Sequence, residues 1–218
     1  AFGSSRARVD DDLVATVARV EGVKVAEGVV QGFGQIIASD GEPIGNPDQG
    51  APTFGGNWSD TDELNPFNLA VGRAPRRDNE VVIDKKSADD GKLRVGDKTT
   101  VVTASGPVAV EVVGIARFGE ADSPGGASMA LFTLDAAQRY VAQRGQLDAV
   151  AVVADEGVGE GTLVERIDAV LPENTEVITG AALTEENQDD IQQGVGVFTS
   201  FLTSFAGIAL LVTTFSIY

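Results

Sequence analysis

The sequence predicts an α+β chain of two lobes that leads into an apolar C-terminal membrane helix. Three observations carry this. Two strand-and-helix groups lie at opposite ends of the chain, and a β-rich stretch separates them. No charged residue occurs between Ile191 and Tyr218, although the chain holds 33 acidic and 16 basic side chains. The stretch 197–218, VFTSFLTSFAGIALLVTTFSIY, is as long as a helix needs to cross a hydrocarbon core of roughly 30 Å.

From the N-terminus, Asp10-Asp11-Asp12 precedes Leu13, Val14, Val17 and Val20 at helical spacing. Acidic residues suit the positive end of a helix, and Gly22 can end it. The same triplet would also suit a cation. Residues 24–30 and 35–38 read as two strands of a hairpin turning through Gly32 and Gly34. Residues 40–68 are dense in Gly, Pro, Asn and Asp and read as one long loop. That loop holds the chain's one tryptophan, Trp58, whose expected role is to pin it to the body.

Beyond the loop, residues 80–84 (EVVID), 98–103, 108–116 and 127–132 alternate as strands. Ala104-Ser105-Gly106-Pro107 joins the second and third as a hairpin. Thr133 caps a helix to about Arg144 with Leu134, Ala137, Tyr140 and Val141 on one face. A strand at 150–154, a helix opened by a Thr162-x-x-Glu165 capping box and stopped by Pro172, and a strand at 176–179 follow. A last helix starts near Ala181 and runs toward the membrane segment. One α/β lobe is therefore expected from about 10–40 and 146–190, with the β-rich lobe inserted at about 45–145. Domain boundaries of 1–190 and 191–218 follow.

Ten apolar side chains in 197–218, at about −0.5 kcal/mol each, favour insertion by about 5 kcal/mol. Thr199, Thr203 and Gly207, with Ser200, Ser204 and Thr214, lie near one stripe. Small residues at this spacing allow close helix packing in a bilayer. The stripe equally suits residues merely tolerated there.

Composition narrows the chemistry. A formal net charge of −17 repels nucleic acid and anionic headgroups. The chain has no cysteine and no histidine, which removes disulfides, Ser-His and Cys-His arrangements and the commonest metal ligand. Gly157-Val-Gly159-Glu-Gly161 sits where a phosphate loop would, but it lacks the lysine of one and is flanked by acids. Asp60, Asp62 and Glu63 offer a calcium-type carboxylate set short of an EF-hand. Asp122-Ser123-Pro124-Gly125-Gly126 is turn chemistry, and neither Ser123 nor Ser128 has a base near it in sequence. No catalytic, cofactor or metal residue is assigned. The opening Ala-Phe-Gly-Ser-Ser without Met points to a preceding segment, and the stop at Tyr218 inside an apolar run points to a following one.

Several stretches together resemble the extracytoplasmic domain of FtsX-like and MacB-like ABC transporter permeases, particularly the actinobacterial type. They are GNPDQGAPTFGGNW (45–58), GRAPRRDNEVVIDKKSADDGKLRVGD (72–97), VVGIARFGEADSPGG (112–126), FTLDAAQRY (132–140), LTEENQDDI (183–191) and FAGIALLVTTFSIY (205–218). The resemblance implies residues 1–190 outside the plasma membrane and the start of a second transmembrane helix at the end. It implies no enzymatic activity in this chain and no cofactor. The partners it implies are a cytoplasmic ABC ATPase and a second permease copy or a paired permease, with ATP-driven movement serving export or signalling. The outside partner and any substrate stay open. A membrane-anchored binding or adhesion module is the second reading, and a tethered hydrolase the third.

Overall fold

The computed structural model describes residues 7–45, 52–173, 175–180, 182 and, as backbone, 209–214. The chain divides into two compact units. The first comprises Ala1–Val29, Thr61–Leu64 and Gly145–Tyr218, the second Val30–Asp60 and Asn65–Arg144. The chain thus leaves the first unit at Val29–Val30, ten residues earlier than its sequence suggests.

The first unit has a four-stranded sheet in the order β12-β13-β11-β2. Its members are β2 (Val23–Val29), β11 (Ala149–Ala154), β12 (Thr175–Thr179) and β13 (Ala209–Thr214). A separate two-stranded ribbon pairs β1 (Val9–Asp10) with β10 (Gln146–Leu147). Helix α1 (Asp12–Val17) buries Leu13 and Val17, two of the four positions the periodicity selects, and ends before Val20. Asp11 is the residue before its first turn but makes no side-chain cap, so the acidic triplet acts through the helix dipole. Helix α4 (Glu160–Asp168) buries Leu163 and Ile167. Its N-cap is Gly159, in ordinary extended backbone, so the helix begins three residues ahead of the expected Thr162 cap.

The second unit is built on a seven-stranded sheet, β5-β8-β6-β9-β4-β3-β7, with a further β7–β8 pairing. Its strands are β3 (Gln31–Ile36), β4 (Thr53–Asn57), β5 (Phe67–Gly72), β6 (Glu80–Asp84), β7 (Lys98–Thr103), β8 (Gly106–Phe118) and β9 (Ser128–Phe132). The β7–β8 pairing closes all but β5 into a ring. The long β8 makes this possible, since residues from Gly106 to Glu111 pair with β7 and later ones with β6 and β5. Closure removes sheet edges, leaving β5 as the outlying strand. Ile36, Val81, Val82, Ile83, Val101, Val112, Ala130 and Phe132 are wholly buried in this unit. Helix α2 (Lys85–Asp90) follows β6, and α3 (Leu134–Tyr140) packs on β4 and β9. Thr133 caps α3 as expected, its hydroxyl accepting from Ala136 N at 3.3 Å.

The fold departs from the sequence expectations in three places. The hairpin at 24–38 does not form: β2 pairs with β11, whereas β3 pairs with β4 and β7. Gly32 and Gly34 are not turn residues but places where backbones meet. A Cβ on Gly34 would lie 2.5 Å from Gly55 N. For the same reason the long loop contains a central strand, β4, whose Gly55 and Gly56 conceal it from a propensity reading. Finally, residues 209–214 form a strand and not a helix. A short apolar run satisfies either reading by pattern alone, and here its backbone is paired by β11 and β12. Among the described residues no helix is long and apolar enough to cross a membrane.

Candidate functional site

The residues singled out for chemistry do not converge. Asp60, Asp62 and Glu63 are all exposed. Asp62 and Glu63 belong to a 3-10 turn, Asp62–Leu64, and the Glu63 carboxylate accepts from Lys24 Nζ at 2.6 Å. That bond holds the Glu63 carboxyl below, and the Lys24 ammonium above, their ordinary ranges. Among the described residues no cluster of three or more His, Cys, Asp or Glu has the arrangement of a metal site. Gly157 lies in a turn at φ +82 between β11 and α4, with Asp155 and Glu156 exposed beside it. This is a connector. Ser123 accepts from Gly126 N at 3.1 Å within its turn. Trp58 is half-buried, and its backbone N donates to Phe132 O at 2.8 Å, which fastens the segment after β4 to β9. Thr199, Thr203 and Gly207 lie outside the described residues.

Two buried carboxylates stand out instead, both in the second unit and both at the ends of β6. Glu80 has no solvent exposure. Its oxygens accept from Arg73 Nη1 at 2.7 Å, Arg73 Nη2 at 2.8 Å, Arg77 Nε at 2.5 Å and Arg76 N at 2.8 Å. A fork of two parallel guanidinium bonds holds its carboxyl far below the usual carboxylate range, against the opposing effect of burial. Asp84, at the other end, is equally buried. It caps α2 through Ser87 N at 2.9 Å and accepts from Met129 N at 2.7 Å, tying α2 to β9. Burial pushes its carboxyl up, which those bonds oppose. Each carboxylate oxygen of both groups is held by the protein, with four bonds on Glu80 and a backbone N–H on each oxygen of Asp84, which fits a structural role. The sequence signal for the first was Arg73-Ala-Pro-Arg76-Arg77-Asp-Asn-Glu80, three cations ahead of an acid at the head of an apolar strand.

The MacB-like periplasmic core domain family matches residues 2–170, most of the chain. The chain belongs to this family. Its fold is similar to that of the extracellular domain of the noncanonic ABC-type transporter YknZ from Gram-positive bacteria. That likeness has a TM-score of 0.56 at 15% identity and covers 77% of this chain and 84% of the other. The periplasmic region of MacB from Actinobacillus actinomycetemcomitans is similar too, at TM-score 0.52 and 13% identity, covering 74% and 73%. No curated protein matches the sequence. The family establishes an extracytoplasmic domain of an ABC transporter permease.

Two further elements are well defined. The turn Thr61–Leu64 belongs to the first unit although the residues on both sides of it belong to the second. Leu64 is buried against Ala151 and Val153, with Val25 and Val29 beside it. The Thr61 hydroxyl bonds to the Glu27 carboxylate, and Glu63 to Lys24, so both ends of the turn are fastened to β2. The second element follows β12. Thr179 Oγ1 accepts from Ala182 N at 3.1 Å, and Gly180 and Ala182 are helical. A hydroxyl cap thus opens a helix where the sequence places one; its continuation lies outside the described residues.

Proposed function

We propose that this chain is the extracytoplasmic part of a permease subunit that transmits ATP-driven movement across the plasma membrane, for export or for signalling to an outside partner. The match to the MacB-like periplasmic core domain over residues 2–170 is the observation that carries the reading. In it, residues 197–218 enter the bilayer as the start of a transmembrane helix, with Thr199, Thr203 and Gly207 on a packing face. The uncharged run of about 20 residues supports this. A cytoplasmic ATPase subunit supplies the energy, and a second permease copy or a paired permease completes the transporter. The soluble part performs no catalysis.

The coupling element is the helix that Thr179 caps. No proline follows Pro172, so a helix from there to the membrane has no built-in break, and Gly194 and Gly196 are its softest point. Inserting three glycines between Gln193 and Val197 in the intact permease should abolish ATP-dependent output while leaving the fold intact. The chain has no native cysteine, so paired spin labels can report distances between ectodomains with and without ATP. Unchanged distances and unchanged output after insertion would show that the domain is a passive anchored binding module.

A further inference from the structure

β11 and β12 each pair antiparallel with β13 and are linked through α4, so they run parallel to one another with one strand between them. The space they enclose is about 10 Å wide, twice the inter-strand spacing. Both walls turn backbone N–H and C=O groups toward it, and residues 209–214 supply both ladders. Val212 lies opposite Val150 and Val177, Leu211 opposite Ala151 and Ile178, and Leu210 opposite Val152 and Thr179. Thr213 and Thr214 lie opposite Glu176 and Thr175. The register therefore sets apolar residues against the buried, wholly apolar β11 and hydroxyl residues against the polar start of β12.

The same six residues sit inside the run that suits a bilayer. A membrane helix keeps its backbone hydrogen bonds within itself, whereas a central strand gives them to its neighbours. Residues 209–214 cannot do both. When they leave the sheet, β11 and β12 lose their shared partner, and buried backbone groups do not stay unpaired. We propose that the gap between β11 and β12 is a strand-acceptor site. Once residues 209–214 are withdrawn, it takes an extended, uncharged, proline-free peptide segment antiparallel to both walls, apolar at four successive positions and hydroxyl-bearing at the next two. This rests on the permease reading for what withdraws the strand, but not for what the gap binds.

The test uses the full chain carrying Leu211→Pro, which removes a ladder donor from a central strand. The probe is a fluorescent Ala-Leu-Leu-Val-Thr-Thr peptide with two lysines at each end. Saturable one-to-one binding is expected, together with slowed amide exchange in β11 and β12. The same peptide with proline at the second Leu should bind at least a hundredfold more weakly. A folded variant that ignores both peptides, or binds both equally, overturns the site. The unsubstituted chain on phosphatidylcholine vesicles gives a second arm should Leu211→Pro fail to fold. Chain that floats with vesicles and captures the peptide supports the site. Flotation without capture overturns the site and leaves the membrane reading intact. Capture by Leu211→Pro in buffer, with no flotation of the unsubstituted chain, upholds the site and sinks the membrane reading.

Discussion

Replacing Glu80 by glutamine should weaken the second unit in a way that depends on pH. Glu80 is wholly buried, while the side chains of Arg73 and Arg77 keep 39% and 65% of their exposure. Breaking a buried pair by removing one member costs about 3–5 kcal/mol. Here the abandoned arginines reach solvent, which lowers the penalty. A loss of about 2–4 kcal/mol at pH 7 follows. The folded-state carboxyl titrates well below its unfolded value of about 4.3, so the unfolded chain takes up the proton first. Stability from this group is therefore present above that value and is lost as pH falls toward the folded value. One unit below the unfolded value, near pH 3.3, the loss reaches about 1.4 kcal/mol, and glutamine has none to lose.

The gap between native and Glu80→Gln should therefore shrink by about 1 kcal/mol or slightly more between pH 7 and pH 3.3. All other carboxylates are common to both chains and cancel in the difference. Urea unfolding at the two pH values, followed by the fluorescence of Trp58, gives the numbers. A gap that stays constant, or widens in acid, would show that the Arg73 fork does not hold Glu80 ionised.

Two further substitutions probe packing. Leu64→Ala should destabilise the first unit by about 2–5 kcal/mol, as for other fully buried leucines; urea unfolding measures it, and a change under 1 kcal/mol would mean that the turn does not fill that core. Gly34→Ala should cost at least about 1–3 kcal/mol, because the new methyl would lie 2.5 Å from Gly55 N and backbone cannot swing aside; Gly41→Ala is a useful contrast, with open space and φ +89, so only backbone strain applies.

The strands rich in branched residues were legible, and so was the β7–β8 hairpin, because alternation and a short turn are local signals. β6 and β9 read correctly for the same reason, with all five residues of each buried. What failed was non-local. Gly32, Gly34, Gly55 and Gly56 look like turn residues until the strands are placed; only then does crowding explain them, Gly34 against Gly55, Gly32 and Gly55 against Val141, and Gly56 against Val30 O. Thr162 and Glu165 match a capping box by spacing, but Gly159 opens the helix first. The Glu80 cluster was visible as three arginines and an acid, yet nothing local says that the acid is buried and the cations reach solvent. For residues 209–214 the difficulty is physical. Four apolar residues followed by two threonines satisfy a sheet or a bilayer equally, and the surroundings decide.

That ambiguity bears on coupling. Among the described residues β12 is an edge strand whose sheet neighbour is β13, and Thr179 at its end accepts from Ala182 N. Cap and neighbour therefore act on the same five-residue strand. If β13 is drawn out, β12 loses its ladder, and what still holds it is the packing of α4 and whatever strand replaces β13. A tightly filled gap makes β12 a rigid lever arm for the helix; an empty gap makes it a loose tether. On the permease reading proposed above, the occupancy of one strand position sets how much displacement passes from the membrane into the sheet. In the intact permease, Val152→Pro in the opposite wall should reproduce the loss of output caused by glycine insertion above the membrane, although it lies far from that insertion in sequence. ATP-dependent output is the measurement, with amide exchange in β12 as the check that the strand has loosened. Loosened β12 with undiminished output would show that movement passes by another route.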